Sequence, residues 1–166
     1  MIIFDASTLI LLAKIDVLDL FISNYSGQVC IPVKVRAEVL RKGSAETPCI
    51  AGLIKDGKIE VVEVKEEGRI QKLMADFNID SGEAEAIVLA LHKKKALVAT
   101  DDRNAIRVCK FLKLDFVTAI SILIRAVEKR LLSKNEAVLK MEKLEFVGRY
   151  KKSIIADARM QIIGGC

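Results

Sequence analysis

The 166-residue sequence contains no tryptophan, and aromatic residues make up only 5% of it. Base-stacking nucleic-acid platforms need several aromatic side chains along a groove, so the composition argues against such a platform. The single histidine, His92, leaves too few imidazole ligands for the usual zinc sites. The four cysteines show no Cys-x-x-Cys spacing, and we expect reduced core thiols rather than a disulfide framework; they are Cys30, Cys49, Cys109 and Cys166.

Long apolar runs are also missing from the chain. No apolar stretch approaches the roughly 18–20 residues that a membrane-spanning helix requires. The N-terminus lacks the basic region of a signal peptide, Asp5 interrupts its apolar run, and Lys14 ends it. We therefore expect a cytoplasmic protein that does not associate with a membrane.

The remaining composition is that of a globular protein, with 52% apolar and 30% charged residues. The length allows one domain with a substantial core, and we expect residues 1–166 to form it. The net charge of +5 is uneven, because residues 125–166 hold ten basic and five acidic residues while 1–124 hold 17 of each. The basic excess lies in a helical C-terminal extension, residues 126–166, which either contacts a polyanion or exposes charged helix faces to solvent.

Short apolar runs alternate with helical patterns through the first 118 residues. The predicted strands are 2–5, 29–31, 59–64, 96–100 and 116–118. The predicted helices are 6–13, 15–23, 32–42, 48–56, 67–77, 83–95, 103–111, 119–131 and 134–145. Strands that alternate with helices form parallel sheets covered by helices, so this order predicts an α/β fold with a central, mostly parallel sheet.

Acidic residues follow two of these strands. Asp5 ends the first strand, and the pair Asp101 and Asp102 ends the strand 96–100. Ligands of open parallel sheets bind beyond the carboxyl ends of the strands, where these side chains would lie. The alternative is that the aspartates cap the helices that follow them. One carboxylate suffices for each helix, so either Asp101 or Asp102 is left without a capping role.

Glu38 is the third acidic candidate, in the helix that begins after Pro32. It stands beside an apolar strip of this helix that includes Val35 and Val39. Its alternative role is an i,i+4 ion pair with Lys34, in the weaker of the two orientations because the lysine comes first. The helix pattern leaves both roles open.

Glu83 and Glu85 occupy the first turn of the helix 83–95, which is apolar over most of its surface. Asp80 lies three residues before Glu83, and this spacing predicts a capping box. A largely buried helix seldom carries two glutamates in its first turn only to cap itself. We therefore take Glu83 as the candidate metal ligand and Glu85 as the alternative.

Carboxylates gathered in one place repel each other unless a cation lies between them. Mg²⁺ or Mn²⁺ prefers oxygen ligands of this kind and can activate water for phosphodiester hydrolysis. Ser7 or Thr8 could orient that water or contact a ligand carboxylate. Arg103 and Arg107, one helical turn apart, either meet a phosphate or only balance the acids.

Four blocks of the sequence, in this order, resemble the PIN domain of metal-dependent nucleases. They are Ile2-Ile-Phe-Asp5-Ala-Ser-Thr-Leu-Ile10, Pro32-Val-Lys-Val-Arg-Ala-Glu38-Val39, Ile79-Asp-Ser-Gly-Glu83-Ala-Glu-Ala-Ile87 and Val98-Ala-Thr-Asp101-Asp102-Arg-Asn-Ala-Ile-Arg107. The resemblance covers residues 1 to about 125 and implies a three-layer α/β/α sandwich. It also implies that Mg²⁺ or Mn²⁺ is bound by four acids, with Asp102 accessory; the four are Asp5, Glu38, Glu83 and Asp101.

The usual activity of PIN domains is cleavage of single-stranded RNA, often as the toxin of a toxin–antitoxin pair. The resemblance therefore implies RNA as substrate and an antitoxin protein as a candidate partner. The extension 126–166 has no counterpart in the shortest toxins, and it could cover the cleft, form a homodimer contact or bind RNA. The competing hypothesis is a catalytically weak nucleic-acid- or protein-binding module on the same fold. A haloacid-dehalogenase-like phosphatase is disfavoured, because Ser7 stands where its second aspartate would be required.

Overall fold

The computed structural model describes residues 1–148 and 150–164, and within them a five-stranded parallel sheet lies between two layers of helices. The strands are β1 (Ile2–Phe4), β2 (Val29–Pro32), β3 (Glu60–Val62), β4 (Leu97–Ala99) and β5 (Asp115–Val117). The helices are α1 (Ala6–Lys14), α2 (Leu18–Asn24), α3 (Val33–Lys42), α4 (Thr47–Lys55), α5 (Glu67–Phe77), α6 (Ser81–Leu91), α7 (Arg103–Phe111), α8 (Ala119–Glu128), α9 (Lys134–Val147) and α10 (Lys152–Gly164). The predicted α/β/α sandwich is thus confirmed.

β1 is the central strand of the sheet, whose order is β3-β2-β1-β4-β5. Ile3 of β1 pairs with Cys30 of β2 on one side and with Val98 of β4 on the other. All three residues of β1 are completely buried, as expected for a parallel strand covered on both faces. Ile2 and Phe4 belong to one apolar core and Ile3 to the other, because side chains alternate between the faces of a strand.

The strand order places the switch point of the sheet between β1 and β4. The chain runs from β1 through β2 to β3 at one edge, and then returns to β4 and β5 on the other side of β1. In open parallel sheets, the connections that diverge at such a point leave a crevice beyond the carboxyl ends of the strands. Asp5 directly follows β1 and Asp101 lies two residues beyond the end of β4, so both are at this crevice.

Each face of the sheet carries its own apolar core. The core that contains Ile2 and Phe4 receives side chains from α1 to α4 and from α8 to α10. The core that contains Ile3 receives side chains from α5, α6 and α7. The C-terminal helices therefore pack into the same core as the first helices of the chain.

The predicted boundaries of several helices were wrong. α2 begins at Leu18 and not at residue 15, and α8 ends at Glu128 and not at residue 131. α6 ends at Leu91, four residues before its predicted end, and Lys95 adopts a left-handed φ of 57° in the turn to β4. The last predicted helix ended at 145, whereas α9 continues to Val147 and α10 follows it. Residues 149, 165 and 166 of the predicted extension lie outside the described residues.

Lysines of α9 fasten this helix to the end of α1. The ammonium group of Lys140 donates a hydrogen bond to the carbonyl oxygen of Ile15 at 2.9 Å. Lys143 pairs with the carboxylate of Asp16 at 2.8 Å. Some of the excess basic residues therefore hold α9 against α1. That the others contact RNA stays a prediction. The organisation of residues 1–166 as one domain with a C-terminal extension also stays a prediction.

The cysteine prediction holds for two positions. Cys30 and Cys109 are buried free thiols, but Cys49 is an exposed free thiol and does not belong to the core. Cys166 lies outside the described residues. Within the described part of the chain, no helix combines the length and apolar character needed to cross a membrane.

Candidate functional site

Asp5 lies at the carboxyl end of β1 and is the N-cap residue of α1. Its Oδ1 accepts hydrogen bonds from the Thr8 backbone N–H at 2.7 Å and from Ser7 Oγ at 3.1 Å. The residue is 1% exposed, and its Oδ2 is buried without a hydrogen-bond partner among the described residues. Burial raises the pKa of Asp5 to about 6 and the charge of Asp101 adds to the rise, while hydrogen bonds from Thr8 and the proximity of the Thr100 hydroxyl, which does not reach hydrogen-bond geometry, lower it. Capping thus accounts for only one of its two oxygens.

Thr8 links the acids of the two central strands. Its backbone N–H binds Asp5 Oδ1, and its hydroxyl donates to Asp101 Oδ2 at 2.9 Å. Thr8 is completely buried, so both bonds form away from water. Since β1 and β4 are also paired through Phe4 and Ala99, the two aspartates are held at a fixed separation by backbone and side chain together.

Asp101 and Asp102 divide their roles. Asp102 is the N-cap of α7, where its Oδ1 accepts the N–H groups of Asn104 at 2.7 Å and Ala105 at 2.9 Å. Asp101 makes no part of this cap; its Oδ2 accepts the N–H of Ala119, the first residue of α8, at 3.0 Å. The expectation that one of the pair does not cap the helix after β4 is confirmed. Burial raises the pKa of Asp101 as well.

Tyr150 is a member of the site that the sequence analysis missed. It lies between α9 and α10 and donates a hydrogen bond from its hydroxyl to Asp101 Oδ1 at 2.5 Å. Burial and the charge of Asp101 raise the pKa of Tyr150, so the phenol stays protonated and remains a donor. No local signal in the sequence indicates this contact, because the two residues are 49 positions apart.

Glu83 forms the predicted capping box at the start of α6. The N–H of Asp80 donates to Glu83 Oε2 at 2.9 Å, and the N–H of Glu83 donates to Asp80 Oδ1 at 2.8 Å. The pKa of Glu83 is raised to about 8, chiefly by burial and in smaller part by the charges of Asp80, Asp102 and Asp5, while the hydrogen bond from the Asp80 N–H lowers it. Glu83 is therefore within electrostatic reach of the aspartates that follow β1 and β4.

Glu85 has a different position. It is 4% exposed, and its Oε2 accepts the backbone N–H of Lys34 at 3.2 Å, in the first turn of α3. Burial raises the pKa of Glu85. This carboxylate thus satisfies the start of α3, the neighbouring helix that carries Glu38. The choice of Glu83 over Glu85 as the metal ligand stays a prediction.

Glu38 is half-buried on α3 and approaches the start of α6. A Cβ atom added at Gly82 would lie 3.7 Å from Glu38 Oε2 and 3.4 Å from Asp80 Oδ1. It would also lie 3.2 Å from Val35, a close contact. The absence of a side chain at Gly82 therefore allows α3 and α6 to bring Glu38 close to the helix turn that holds Glu83.

An open cleft of about 1180 Å³ lies beside these acids. Its lining includes Ser7, Glu83, Asp101, Asp102, Arg103, Thr118, Ile120, Ile124, Val147, Tyr150, Lys151 and Ile154. Ser7 is exposed there, so its hydroxyl can bind solvent as well as Asp5. Among the described residues, five of the predicted site residues do not line the cleft: Asp5, Thr8, Glu38, Glu85 and Arg107. Asp5 and Thr8 lie buried behind it, and of the predicted arginine pair only Arg103 belongs to the lining.

A divalent cation fits the chemistry of the acids but is not itself part of the structure. In residues 1–148 and 150–164, no three or more His, Cys, Asp or Glu side chains are grouped closely enough to hold a metal ion as they stand. The four-acid ligand set accordingly stays a prediction. The donors are nevertheless carboxylate oxygens, which Mg²⁺ and Mn²⁺ prefer, and the buried Asp5 Oδ2 lacks a partner that a cation would supply. Burial is the largest cause of the raised pKa of both Asp5 and Glu83, and a nearby cation would favour the charged form of each.

The comparison with known proteins agrees with the fold. Searches of curated proteins and of solved structures each returned no match. A family model described as a PIN domain matches residues 1–164, which is nearly the whole chain and includes α9 and α10. The chain therefore belongs to the PIN domain family.

Proposed function

We propose that this protein is an endoribonuclease that uses Mg²⁺ or Mn²⁺ to hydrolyse phosphodiester bonds of single-stranded RNA. The observation that supports this most is the buried Oδ2 of Asp5, which has no hydrogen-bond partner among the described residues. It lies at the switch point of the sheet, with Asp101 on the neighbouring strand end. A dry, unpaired carboxylate oxygen is costly in the free protein, and a bound cation removes this cost.

In this proposal the ion is held by Asp5 and Asp101, and the ligand set is completed by Glu83 and Glu38, with Asp102 accessory. When bound, Mg²⁺ or Mn²⁺ would make a water molecule more acidic and neutralise negative charge on the phosphodiester. The Asp80 N–H engages Oε2 of Glu83, so Oε1 can contribute to the ion without loss of the capping bond.

Three further side chains have roles that follow from their contacts. Thr8 keeps Asp5 and Asp101 together through its amide and hydroxyl. Ser7 is exposed at the cleft while bound to Asp5, so it can orient a water molecule next to the acid. Arg103 lines the cleft, where its guanidinium can bind a phosphate oxygen of the substrate.

The openness and size of the cleft support a polymeric substrate. Pockets that enclose small molecules usually measure about 300–1,000 Å³, and this cleft is larger and open. An extended strand can therefore pass along it while one phosphate lies beside the acids.

The test is cleavage of end-labelled single-stranded RNA by the full chain with Mn²⁺, with and without chelator. Duplex RNA and single-stranded DNA serve as alternative substrates. We expect metal-dependent cleavage of the single-stranded RNA, its loss in Asp5→Asn, and its retention in Asp19→Asn, an exposed aspartate that pairs with Lys58. Equal cleavage by the wild type and Asp5→Asn would show that the activity belongs to a contaminant and would refute the proposal.

The second candidate, a binding module with weak or no activity, is favoured by the capping box that already engages Glu83. RNA binding by the wild type without cleavage of any of the three substrates would support it. In that case Asp5→Asn should leave the RNA affinity unchanged or increase it, because it removes a negative charge.

The family likeness further leads us to propose that the nuclease is a toxin with an antitoxin protein as its partner. Expression in a bacterial host should then arrest growth for the wild type and not for Asp5→Asn. Co-expression of a small adjoining reading frame should restore growth. Unarrested growth with active wild-type enzyme would remove the toxin role and leave the nuclease intact.

A further inference from the structure

The connection between α9 and α10 reaches into the acidic site through Tyr150. Its hydroxyl lies 2.5 Å from Asp101 Oδ1, and its ring is packed against the core on the α1 face of the sheet. Among the described residues that line the cleft, Tyr150 is the one aromatic side chain. The contact therefore joins the C-terminal part of the chain to the acid that follows β4.

The end of α9, just before Tyr150, leaves space for the ring of this residue. Gly148 terminates α9, and its N–H donates to Leu144 O at 2.8 Å. A Cβ atom at Gly148 would overlap the ring of Tyr150 and lie only 2.8 Å from Leu144 O. The backbone of Gly148 is extended, with φ −94° and ψ 162°, so the need for glycine is one of space and not of conformation. The ring and the helix end occupy the volume that a side chain would need.

The helices on both sides of Tyr150 are fixed to the body of the protein. Leu144 of α9 is completely buried, and Ile155 and Ala158 of α10 are nearly so. The lysine contacts of α9 with the end of α1 add to this anchoring. Tyr150 is consequently held from both ends, and its hydroxyl is presented to Asp101 by packed structure.

Asp101 receives donors from three separate parts of the chain. They are the Thr8 hydroxyl, the Ala119 N–H and the Tyr150 hydroxyl. A carboxylate has about four acceptor positions, so these three donors fix its orientation and leave it room for one further bond. The Tyr150 hydroxyl donates to Oδ1, and the Thr8 hydroxyl donates to Oδ2. The Ala119 N–H lies 3.0 Å from Oδ2 and 3.3 Å from Oδ1.

We propose that Tyr150 is a positioning residue of the metal site: its phenol O–H holds Oδ1 of Asp101 so that the carboxylate can take a divalent cation. α9 and α10 thereby complete the acidic site. This inference rests on the proposed metal-dependent function, but it concerns ion binding and can fail independently. Outer partners of metal ligands usually contribute roughly tenfold to a hundredfold to metal affinity or activity.

The experiment measures Mn²⁺ binding to the metal-free full chain by electron paramagnetic resonance of the free ion. Tyr150→Phe removes only the hydroxyl and keeps the packed ring. Tyr25→Phe is the matched control, because the chain has two tyrosines and Tyr25 stacks on Phe21 away from the cleft. We expect Tyr150→Phe to weaken Mn²⁺ binding by about tenfold or more, with little change in melting temperature, and Tyr25→Phe to bind like the wild type.

RNA cleavage by the same variants separates positioning from general damage. Tyr150→Phe should lower kcat at subsaturating Mn²⁺ with little change in the KM for RNA, and added Mn²⁺ should restore part of the rate. Wild-type Mn²⁺ affinity in Tyr150→Phe would overturn the inference and leave the nuclease proposal standing. Tighter Mn²⁺ binding or faster cleavage would overturn it too, since the phenol would then be an obstacle to the ion. A wild type that binds no Mn²⁺ would refute both proposals.

Tyrosine emission supplies a readout that does not depend on activity. With no tryptophan in the chain, Tyr150 is the remaining tyrosine emitter in Tyr25→Phe, and a carboxylate hydrogen bond quenches such emission. Mg²⁺ should change this emission with the midpoint at which Mg²⁺ displaces bound Mn²⁺ in the resonance experiment, and the change should vanish in Tyr25→Phe/Asp101→Asn. If saturating Mg²⁺ left the tyrosine emission unchanged, the phenol of Tyr150 would not be part of the metal site.

Discussion

The two halves of the acidic site are held in different ways. The sheet half consists of Asp5 and Asp101, which follow paired central strands and are joined through Thr8. The helix half consists of Glu38 and Glu83, which lie on α3 and α6 and depend on how those helices pack. In the sheet half, an oxygen of Asp5 is left buried without a partner, whereas in the helix half Glu83 satisfies the start of its own helix.

This difference indicates that the two halves have different roles in ion binding. The sheet half keeps a costly, preorganised arrangement in the free protein, which is typical of a site whose geometry must be ready for a ligand. The helix half has a stable alternative contact and can join when an ion is present. We therefore expect the sheet half to determine whether an ion binds, and the helix half to determine how well it is used.

The largest effect should follow from neutralising Asp101 in the sheet half. Asp101→Asn keeps the size of the side chain but removes a charge from the proposed ion site. Since losing an outer partner of a ligand already costs roughly 10–100-fold, we expect kcat/KM for RNA to fall by more than about 100-fold. Asp115→Asn, at the exposed start of β5, is the matched control and should retain activity. A loss of less than about tenfold would place the ion elsewhere.

The sheet half could be predicted from the sequence because its signals are local. Each signal spans fewer than ten residues. One is an apolar run that ends in Asp5, and the other is an apolar run that ends in the pair Asp101 and Asp102. The surplus carboxylate at Asp101 followed from counting caps, and the structure assigns the α7 cap to Asp102. Strand order could not be read in this way, yet the alternation of strands and helices was enough to predict a parallel sheet.

The parts that escaped prediction depend on distant contacts. Tyr150 meets Asp101 only because α9 and α10 pack on the α1 face of the sheet. The buried spacing of α10, Ile155, Ala158 and Ile162, is helical, but exposed apolar residues in the same segment obscure it. α6 stops at Leu91 although lysines follow, because the chain must turn to enter β4. Tertiary structure overrode local helix propensity there.

The cost stored in the sheet half should appear as a pH dependence of stability. The folded state raises the pKa of Asp5 from 3.8 to about 6, so the folded chain binds this proton more tightly than the unfolded chain. The contribution of Asp5 is therefore fully present below pH 3.8 and is lost as the pH rises to about 6. At higher pH the buried charge costs up to ~3 kcal/mol. Asp5→Asn still caps α1 and should stabilise the metal-free protein by about 1–3 kcal/mol at about pH 8.

Urea unfolding in the presence of chelator measures this effect at about pH 8 and at about pH 3, where the difference should nearly vanish because Asp5 is protonated in both the folded and the unfolded state. Asp19→Asn is the control for surface charge. Added Mg²⁺ should stabilise the wild type and leave Asp5→Asn unchanged. If Asp5→Asn were less stable than the wild type at the higher pH, Oδ2 of Asp5 would have a hydrogen-bond partner in solution. The charged Asp5 would then not destabilise the sheet half relative to the helix half.

A smaller effect is expected in the helix half, where Glu83→Gln and Glu85→Gln make the same chemical change two residues apart. Glu83 lines the cleft and Glu85 binds the Lys34 N–H. Glu83→Gln should lower kcat/KM by about tenfold, because one ligand is weakened while the sheet half stays intact. Glu85→Gln should lower activity less and reduce stability by about 1 kcal/mol through its weaker bond to α3. A larger activity loss in Glu85→Gln would exchange the roles of the two glutamates.

The smallest effect should come from the arginines, which belong to neither half. Arg103 lines the cleft beside the sheet half, whereas Arg107 is exposed outside it. If Arg103 binds one phosphate of single-stranded RNA, Arg103→Gln should reduce the slope of log affinity against log salt by about 0.7 and weaken binding a few-fold at about 0.1 M salt. Arg107→Gln should change both quantities less. RNA binding in Mg²⁺-free buffer, with catalysis stopped, measures this directly, and an equal slope change in both variants would show that RNA follows the whole α7 face instead of entering the cleft.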